Sequence, residues 1–203
     1  MKLNALFAGC LFAAVFAMPA SADEKVYTTV LKGSNEEPAN ASPGTGTATV
    51  TIDLEAVTMR VQESFSGLLG NVSASHLHCC TDVPGAGNVG VATMLNTFAG
   101  FPSGVTSGNY DRTFDMTNAL SFNPAFIEAR GDDVDANGNN VSDAFNALVA
   151  GLDAGTVYAN IHTDIYPGGE IRGFPALIPE PETYAMLLAG LAMVSVLARR
   201  RRS

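Results

Sequence analysis

The sequence has no tryptophan, three cysteines, three histidines and only eleven basic residues among 203. Twenty acidic residues outnumber the basic ones and give a formal net charge of −9. Such a chain repels nucleic acid and anionic lipid surfaces, which excludes both as favoured partners. The missing tryptophan weakens the case for a dedicated sugar-stacking site. The chain also has no Gly-x-Ser-x-Gly elbow and no glycine-rich phosphate loop before a helix, so nothing indicates a serine hydrolase or a nucleotide cofactor.

The N-terminal segment has the features of a signal peptide. Lys2 precedes an apolar run from Leu6 to Met18, and small residues follow at Ala20-Ser21-Ala22. The run is shorter than the roughly 20 residues that span a bilayer. Residues 1–22 are therefore predicted to form a signal helix that signal peptidase removes.

The C-terminal segment combines three elements in a fixed order. Pro179-Glu180-Pro181 is followed by the uncharged residues 183–198 and then by four arginines, 199–202. We expect 183–198 to form a transmembrane helix, with the arginine cluster in the cytoplasm and the preceding domain outside. Residues 179–203 resemble the PEP-CTERM sorting tail of Gram-negative bacteria. The resemblance implies an exosortase as partner, anchoring in the inner membrane during sorting, and then a place at the envelope surface or outside the cell, with exopolysaccharide or biofilm.

Residues 23–178 remain, a suitable length for one domain with its own core. Removing the two ends takes away five of the eleven basic and two of the twenty acidic residues, which leaves six against eighteen and a net charge of −12. An acidic surface of this kind suits cations or neutral polysaccharide.

The pattern of this region is that of short strands separated by glycine-rich turns. One segment, 143–152, has helical periodicity, with Ser142 as its N-cap. The pattern predicts an all-β fold, an antiparallel β-sandwich or partly open barrel with one short helix. The strands are predicted at 26–31, 47–52, 57–61, 72–78, 91–95, 156–162 and 170–174.

Three segments together resemble the chordin (CHRD) domain. They are residues 31–38, residues 65–78 with the sequence His76-Leu77-His78, and residues 155–173. The resemblance spans about residues 26–175 and implies an extracellular, immunoglobulin-like β-sandwich with no catalytic residues to carry over. One departure is Cys79-Cys80, which stands where many members have Gly-Pro.

The adjacent cysteines are the only pair left once Cys10 is removed with the signal peptide. In an oxidising compartment they can be two thiols, a vicinal disulfide, an intermolecular bridge or metal ligands. The sequence leaves these four alternatives open.

The three histidines suggest a metal site. His76 and His78 alternate along a strand and so share one face, and His162 ends another predicted strand. Three imidazoles on neighbouring strands would suit zinc or copper, with Glu170, Asp164 or Cys79 completing the set. The alternative is that these histidines only form hydrogen bonds within the fold.

A second, weaker metal signal is a partial calcium loop. Asp133, Asp135 and Asn137 have the alternate spacing of an EF-hand, but Ala144 stands where a bidentate glutamate is required.

The sequence thus predicts an exported, non-enzymatic protein with a binding or structural role in exopolysaccharide or biofilm. The alternative is a copper- or zinc-binding protein that uses the three-histidine site, with a redox-active form, a metal-dependent oxidoreductase, as a further alternative.

Overall fold

The structure is a computed structural model that describes residues 24–130 and 141–179, together with six helical positions near the C-terminus: Leu188, Gly190, Leu191, Ala192, Val194 and Arg199. The predicted signal peptide, the calcium-loop residues Asp133, Asp135 and Asn137, and most of the predicted transmembrane helix 183–198 lie outside the described residues. Within the described part of the chain, no helix is long and apolar enough to cross a membrane.

The fold is one antiparallel sheet that curls into a half-barrel, which confirms the predicted all-β sandwich or open barrel. Its strand order is β4-β6-β7-β1-β2-β3-β5, and the short β8 pairs with β1. The strands are β1 Glu24–Lys32, β2 Thr45–Asp53, β3 Thr58–Ser66, β4 Val72–His78, β5 Gly108–Asp115, β6 Tyr158–Thr163, β7 Ile171–Gly173 and β8 Ala176–Leu177.

Strict alternation along the strands places one apolar face inside the curl. In β3, for example, Met59, Val61, Glu63 and Phe65 are buried, while the alternate residues 60, 62 and 64 are more exposed. Burying branched and aromatic side chains in this way contributes the main stabilisation of such a sheet. The core also takes side chains from other strands, among them Tyr27, Val50, Leu77, Ile161 and Ile171.

Two helices lie beside the sheet, α1 (Pro124–Arg130) and α2 (Val141–Asp153). The helix α2 covers a disulfide between Cys79 and Cys80, one of the four alternatives left open by the sequence. Gly151 permits this contact, because a Cβ there would lie only 2.8 Å from each of the two sulfur atoms.

The local predictions fail in several places. The sequence predicts one short helix, whereas α1 is a second helix that the pattern does not reveal, because Phe126 is its only buried residue. Strand β5 is not predicted, because the charged and exposed Arg112 lies between Tyr110 and Phe114 on the same face of this edge strand and interrupts the apolar alternation. Residues 91–95 form only isolated bridges rather than a strand. Ser142 lies within α2 instead of capping it.

One charged residue lies inside the core. Glu63 is 3% exposed, and the Ser75 hydroxyl lies 3.1 and 3.0 Å from its two carboxylate oxygens and 3.1 Å from the Asn160 carbonyl oxygen. A hydroxyl has one hydrogen, so it cannot donate to all three acceptors. If Glu63 is protonated it donates to Ser75, which then donates to Asn160. In agreement, burial raises the pKa of Glu63 to about 8, against a smaller opposing effect of Ser75.

We predict that Glu63 makes the domain less stable as the pH rises. Its pKa in the folded state is raised from 4.5 to about 8, so the folded state binds the proton more tightly than the unfolded state does. From this group the free energy of unfolding should fall by about 1.4 kcal/mol per pH unit through that window. Glu63→Gln, which mimics the protonated acid, should flatten this dependence in denaturant unfolding measured from pH 5 to 8.

The matched control is Glu55→Gln, at an exposed turn position, which should keep the slope of the wild type. Equal slopes in the wild type and Glu63→Gln would contradict the prediction.

Candidate metal centre

The pairing of β4 with β6 brings the three histidines together. His76 lies directly opposite Asn160, and His162 lies opposite Ala74. Directly opposed residues share a face of the sheet, so His76, His78 and His162 all project from the face opposite to Leu77 and the core. The small Ala74 leaves space for the His162 ring, whose centroid is 5.0 Å from that of His76.

Each histidine uses one ring nitrogen to bind a backbone carbonyl oxygen of a covering loop. A carbonyl oxygen only accepts hydrogen bonds, so the nitrogen facing it must carry the proton. The other nitrogen of each ring then presents a lone pair. The pairs are His76 Nε2 with Asn96 O at 3.0 Å, His78 Nδ1 with Val89 O at 2.8 Å, and His162 Nδ1 with Pro167 O at 2.9 Å.

The three remaining nitrogens, His76 Nδ1, His78 Nε2 and His162 Nε2, are buried and have no hydrogen-bond partner. One ring nitrogen from each histidine can be chosen so that all three lie within 4.8 Å of one another. A shared zinc ion about 2.1 Å from each nitrogen would bring them somewhat closer together. The cluster therefore has the size and the donor atoms of a three-imidazole metal site.

The environment keeps these imidazoles neutral, the state in which they bind metals. Burial, with a smaller contribution from His162, lowers the pKa of His76 to about 4. Burial likewise lowers the pKa of His78 to about 4, although the hydrogen bond to Val89 opposes this shift. The pKa of His162 is also lowered, again mainly by burial. A bound metal ion would not have to displace protons from the free nitrogens at neutral pH.

An aromatic and cationic stack covers one side of the cluster. The Tyr158 ring lies parallel to that of His78, with 4.5 Å between the ring centroids, and the Arg172 guanidinium lies 4.8 Å from the centroid of Tyr158. Arg172 is 2% exposed and also donates to Asn88 Oδ1 at 2.7 Å and to Glu37 Oε2 at 3.3 Å. This one side chain thus joins two loops over the histidine face of the sheet.

Glu170 is not part of the cluster. Its carboxylate accepts from Ser42 Oγ and Leu69 N at 2.6 Å, from Thr163 Oγ1 at 2.8 Å and from Gly70 N at 3.1 Å. Burial would raise the pKa of Glu170, but these hydrogen bonds outweigh it and the net pKa is lowered. The residue is an anionic centre that binds two loops together.

The other two candidates from the sequence are also engaged elsewhere. The Cys79 sulfur is bonded to Cys80, so it offers no thiolate. Asp164 is exposed and accepts from the backbone and side chain of Asn71 at 2.8 and 3.2 Å. Of the six residues considered, the structure brings together only the three histidines.

Sequence reasoning missed Asn160, Glu36 and Arg172. Asn160 had a usable signal, because it precedes His162 by two residues and must share its face of the strand. Glu36 is distant in sequence from every histidine, so only the folded chain reveals its position.

The sheet and the cluster define an all-β domain with a three-histidine candidate metal centre. The CHRD domain model matches residues 27–174, and the chain belongs to this family. The PEP-CTERM protein-sorting motif matches residues 177–202, which implies processing by an exosortase. Together the two matches identify an exported protein that is sorted to the envelope. No curated protein and no solved structure matches the chain.

We predict that Glu170→Gln destabilises the domain without affecting the histidine cluster. Each carboxylate oxygen of Glu170 accepts two hydrogen bonds. In glutamine an amide NH₂ group replaces one of these oxygens and cannot accept, so at least two hydrogen bonds to a charged acceptor are lost. The free energy of unfolding at pH 7 should fall by about 2–4 kcal/mol. Chemical denaturation measures this loss, with the exposed Glu128→Gln as control. A variant as stable as the control, or one that lost metal binding while folded, would contradict the placement of Glu170.

Proposed function

We propose that this envelope protein is a non-enzymatic metal-binding protein of the exopolysaccharide matrix, in which His76, His78 and His162 hold one zinc or copper ion. The observation that carries the proposal is the convergence of three buried, unpartnered imidazole nitrogens, each on a ring fixed by a hydrogen bond from its other nitrogen. Metal-ligating histidines usually have this second hydrogen bond, which sets the tautomer and the ring orientation.

The proposal of a role outside the cell rests on the sorting motif and on charge. The sorting motif directs the domain to the envelope. The mature region has a net charge of −12, which favours cations and neutral polysaccharide over nucleic acid.

The proposal of a non-enzymatic role rests on access. His76 and His78 are only 5% and 7% exposed, and the connection that contains Val89 and Asn96 covers them, while His162 is half-buried. A metal in this position is poorly placed to receive a substrate, whereas a stabilising metal requires no access.

The first test is the metal content of the purified full chain, measured by elemental mass spectrometry without chelators. We expect about one equivalent of zinc or copper per chain. Each single His→Ala change should lower metal affinity by more than about 100-fold, because a ligand is lost rather than an outer-shell partner. Removing the metal from the wild type should lower its thermal unfolding temperature, since a ligand of the folded state stabilises it.

The matched control is Asn96→Ala, which removes a side chain beside His76 but keeps the backbone carbonyl that His76 uses. This variant should bind metal like the wild type. Absence of bound metal after reconstitution, or equal affinity in His76→Ala and wild type, would refute the proposal. Bound copper with superoxide dismutation that is lost in the histidine variants would replace it with the oxidoreductase alternative.

A separate prediction concerns sorting. Replacing Pro179, Glu180 and Pro181 by alanine should remove the feature that an exosortase recognises, while leaving the apolar segment and the arginines intact. In a host with an exosortase, the variant should accumulate at full length in the inner membrane fraction. Immunoblotting of cell fractions tests this, with an alanine change at the exposed Val83, outside the sorting motif, as control. Equal distribution of the two variants would contradict the prediction.

A further inference from the structure

Five buried side-chain polar atoms have no hydrogen-bond partner in the described residues. Three are the histidine nitrogens, and the others are Asn160 Oδ1 and Glu36 Oε1. All five present lone pairs when Glu36 is ionised, and all lie on or over one face of the sheet. Buried polar atoms are normally satisfied, so a group of acceptors without a donor indicates a missing cation or a missing donor.

Asn160 lies within the histidine cluster. It is 1% exposed and is the direct cross-strand partner of His76 on the same face. Side chains two residues apart along a strand share a face, so His162 on β6 and His78 on β4 lie on this same face, next to Asn160 and His76.

The amide nitrogen of Asn160 points to a different neighbour. A Cβ placed on Gly169 would lie 2.7 Å from Asn160 Nδ2 and 2.6 Å from Glu36 Oε1, so both atoms border the space that this glycine leaves open. The other Glu36 oxygen faces Arg172 Nε at 3.8 Å. The Asn160 amide therefore lies between the histidine nitrogens and the Glu36 carboxylate.

We propose that Asn160 is the fourth protein ligand of the metal, bound through Oδ1, and that its Nδ2 then donates to Glu36 Oε1. This inference rests on the proposed three-histidine site. One arrangement gives every one of the five unpartnered atoms a partner: four ligate the ion, and the fifth orients the amide ligand. Asparagine oxygen is a harder donor than imidazole, and a mixed set of three nitrogens and one oxygen suits zinc.

The consequence is a closed site. A metal with four protein ligands has a structural role, whereas a catalytic zinc keeps one position for water or substrate. With Asn160 as a ligand the metal only stabilises the fold, whereas without Asn160 the metal keeps one position for an exogenous ligand.

The test uses the full chain with its metal replaced by Co²⁺, whose visible absorption reports coordination number. The wild type should show a four-coordinate spectrum that azide does not change. Asn160→Ala should lose about 10- to 100-fold in Co²⁺ affinity, and azide should change its spectrum by entering the vacated position. Asn160→Asp keeps an oxygen at this position, so it should remain closed to azide, and Asn118→Ala is the control amide deletion at a distant turn.

Azide binding to the wild type as tight as to Asn160→Ala would overturn the inference, as would equal Co²⁺ affinity in the two. In both cases His76→Ala would still lose the metal, and the three-histidine site would stand. If wild type and His76→Ala alike bind no Co²⁺, the proposed function itself fails. Circular dichroism identifies any variant that does not fold, and Asn160→Asp, which barely changes side-chain volume, then carries the test.

Discussion

The register between β4 and β6 is the constraint on which the rest of the site depends. Leu77 and Ile161 are fully buried on the core face of these strands, and their burial fixes which residues face the other way. Because side chains alternate along a strand, a shift by one residue would drive His76 and His78 into the core and expose Leu77. The hydrophobic core therefore determines the position of the histidine cluster indirectly, because the same alternation that buries Leu77 sets His76 and His78 on the opposite face.

The outer face of this part of the sheet is not a solvent surface, because loops close over it. The carbonyl groups that orient the histidines belong to these loops, so ring orientation depends on loop conformation rather than on other side chains. Two buried charges hold the loops. Arg172 joins the segments around Glu37 and Asn88, and Glu170 joins those around Ser42 and Leu69. A buried charge with full hydrogen bonding is costly to disturb, which makes it well suited to keeping a loop in one conformation.

Patterns that repeat along the chain could be predicted from the sequence, whereas features set by distant contacts could not. Alternation in β2, β3 and β4 revealed these strands, and the spacing of His76 and His78 correctly placed both on one face. The edge strand β5 was missed because Arg112 interrupts its apolar alternation. The Arg112 guanidinium donates to the Ala99 carbonyl oxygen, a contact that no local sequence pattern reveals. The sequence made Glu170 a candidate metal ligand because its hydrogen-bond donors could not be foreseen. Three of the four donors, in Ser42, Leu69 and Gly70, are 100 or more residues away in the chain, and only Thr163 is near.

The hydrogen-bond inventory also favours the proposed metal centre over histidines that serve only the fold. A purely structural cluster would pair each ring on both sides, or would let one imidazolium donate to its neighbours. Here the carbonyl oxygens of Asn96, Val89 and Pro167 fix the tautomers, so three lone pairs face one another. Protonating one ring would relieve this arrangement, yet burial lowers the pKa of all three histidines and opposes it. The proposed metal cation would satisfy all three nitrogens at once, and its binding energy would offset the cost of assembling them in the fold.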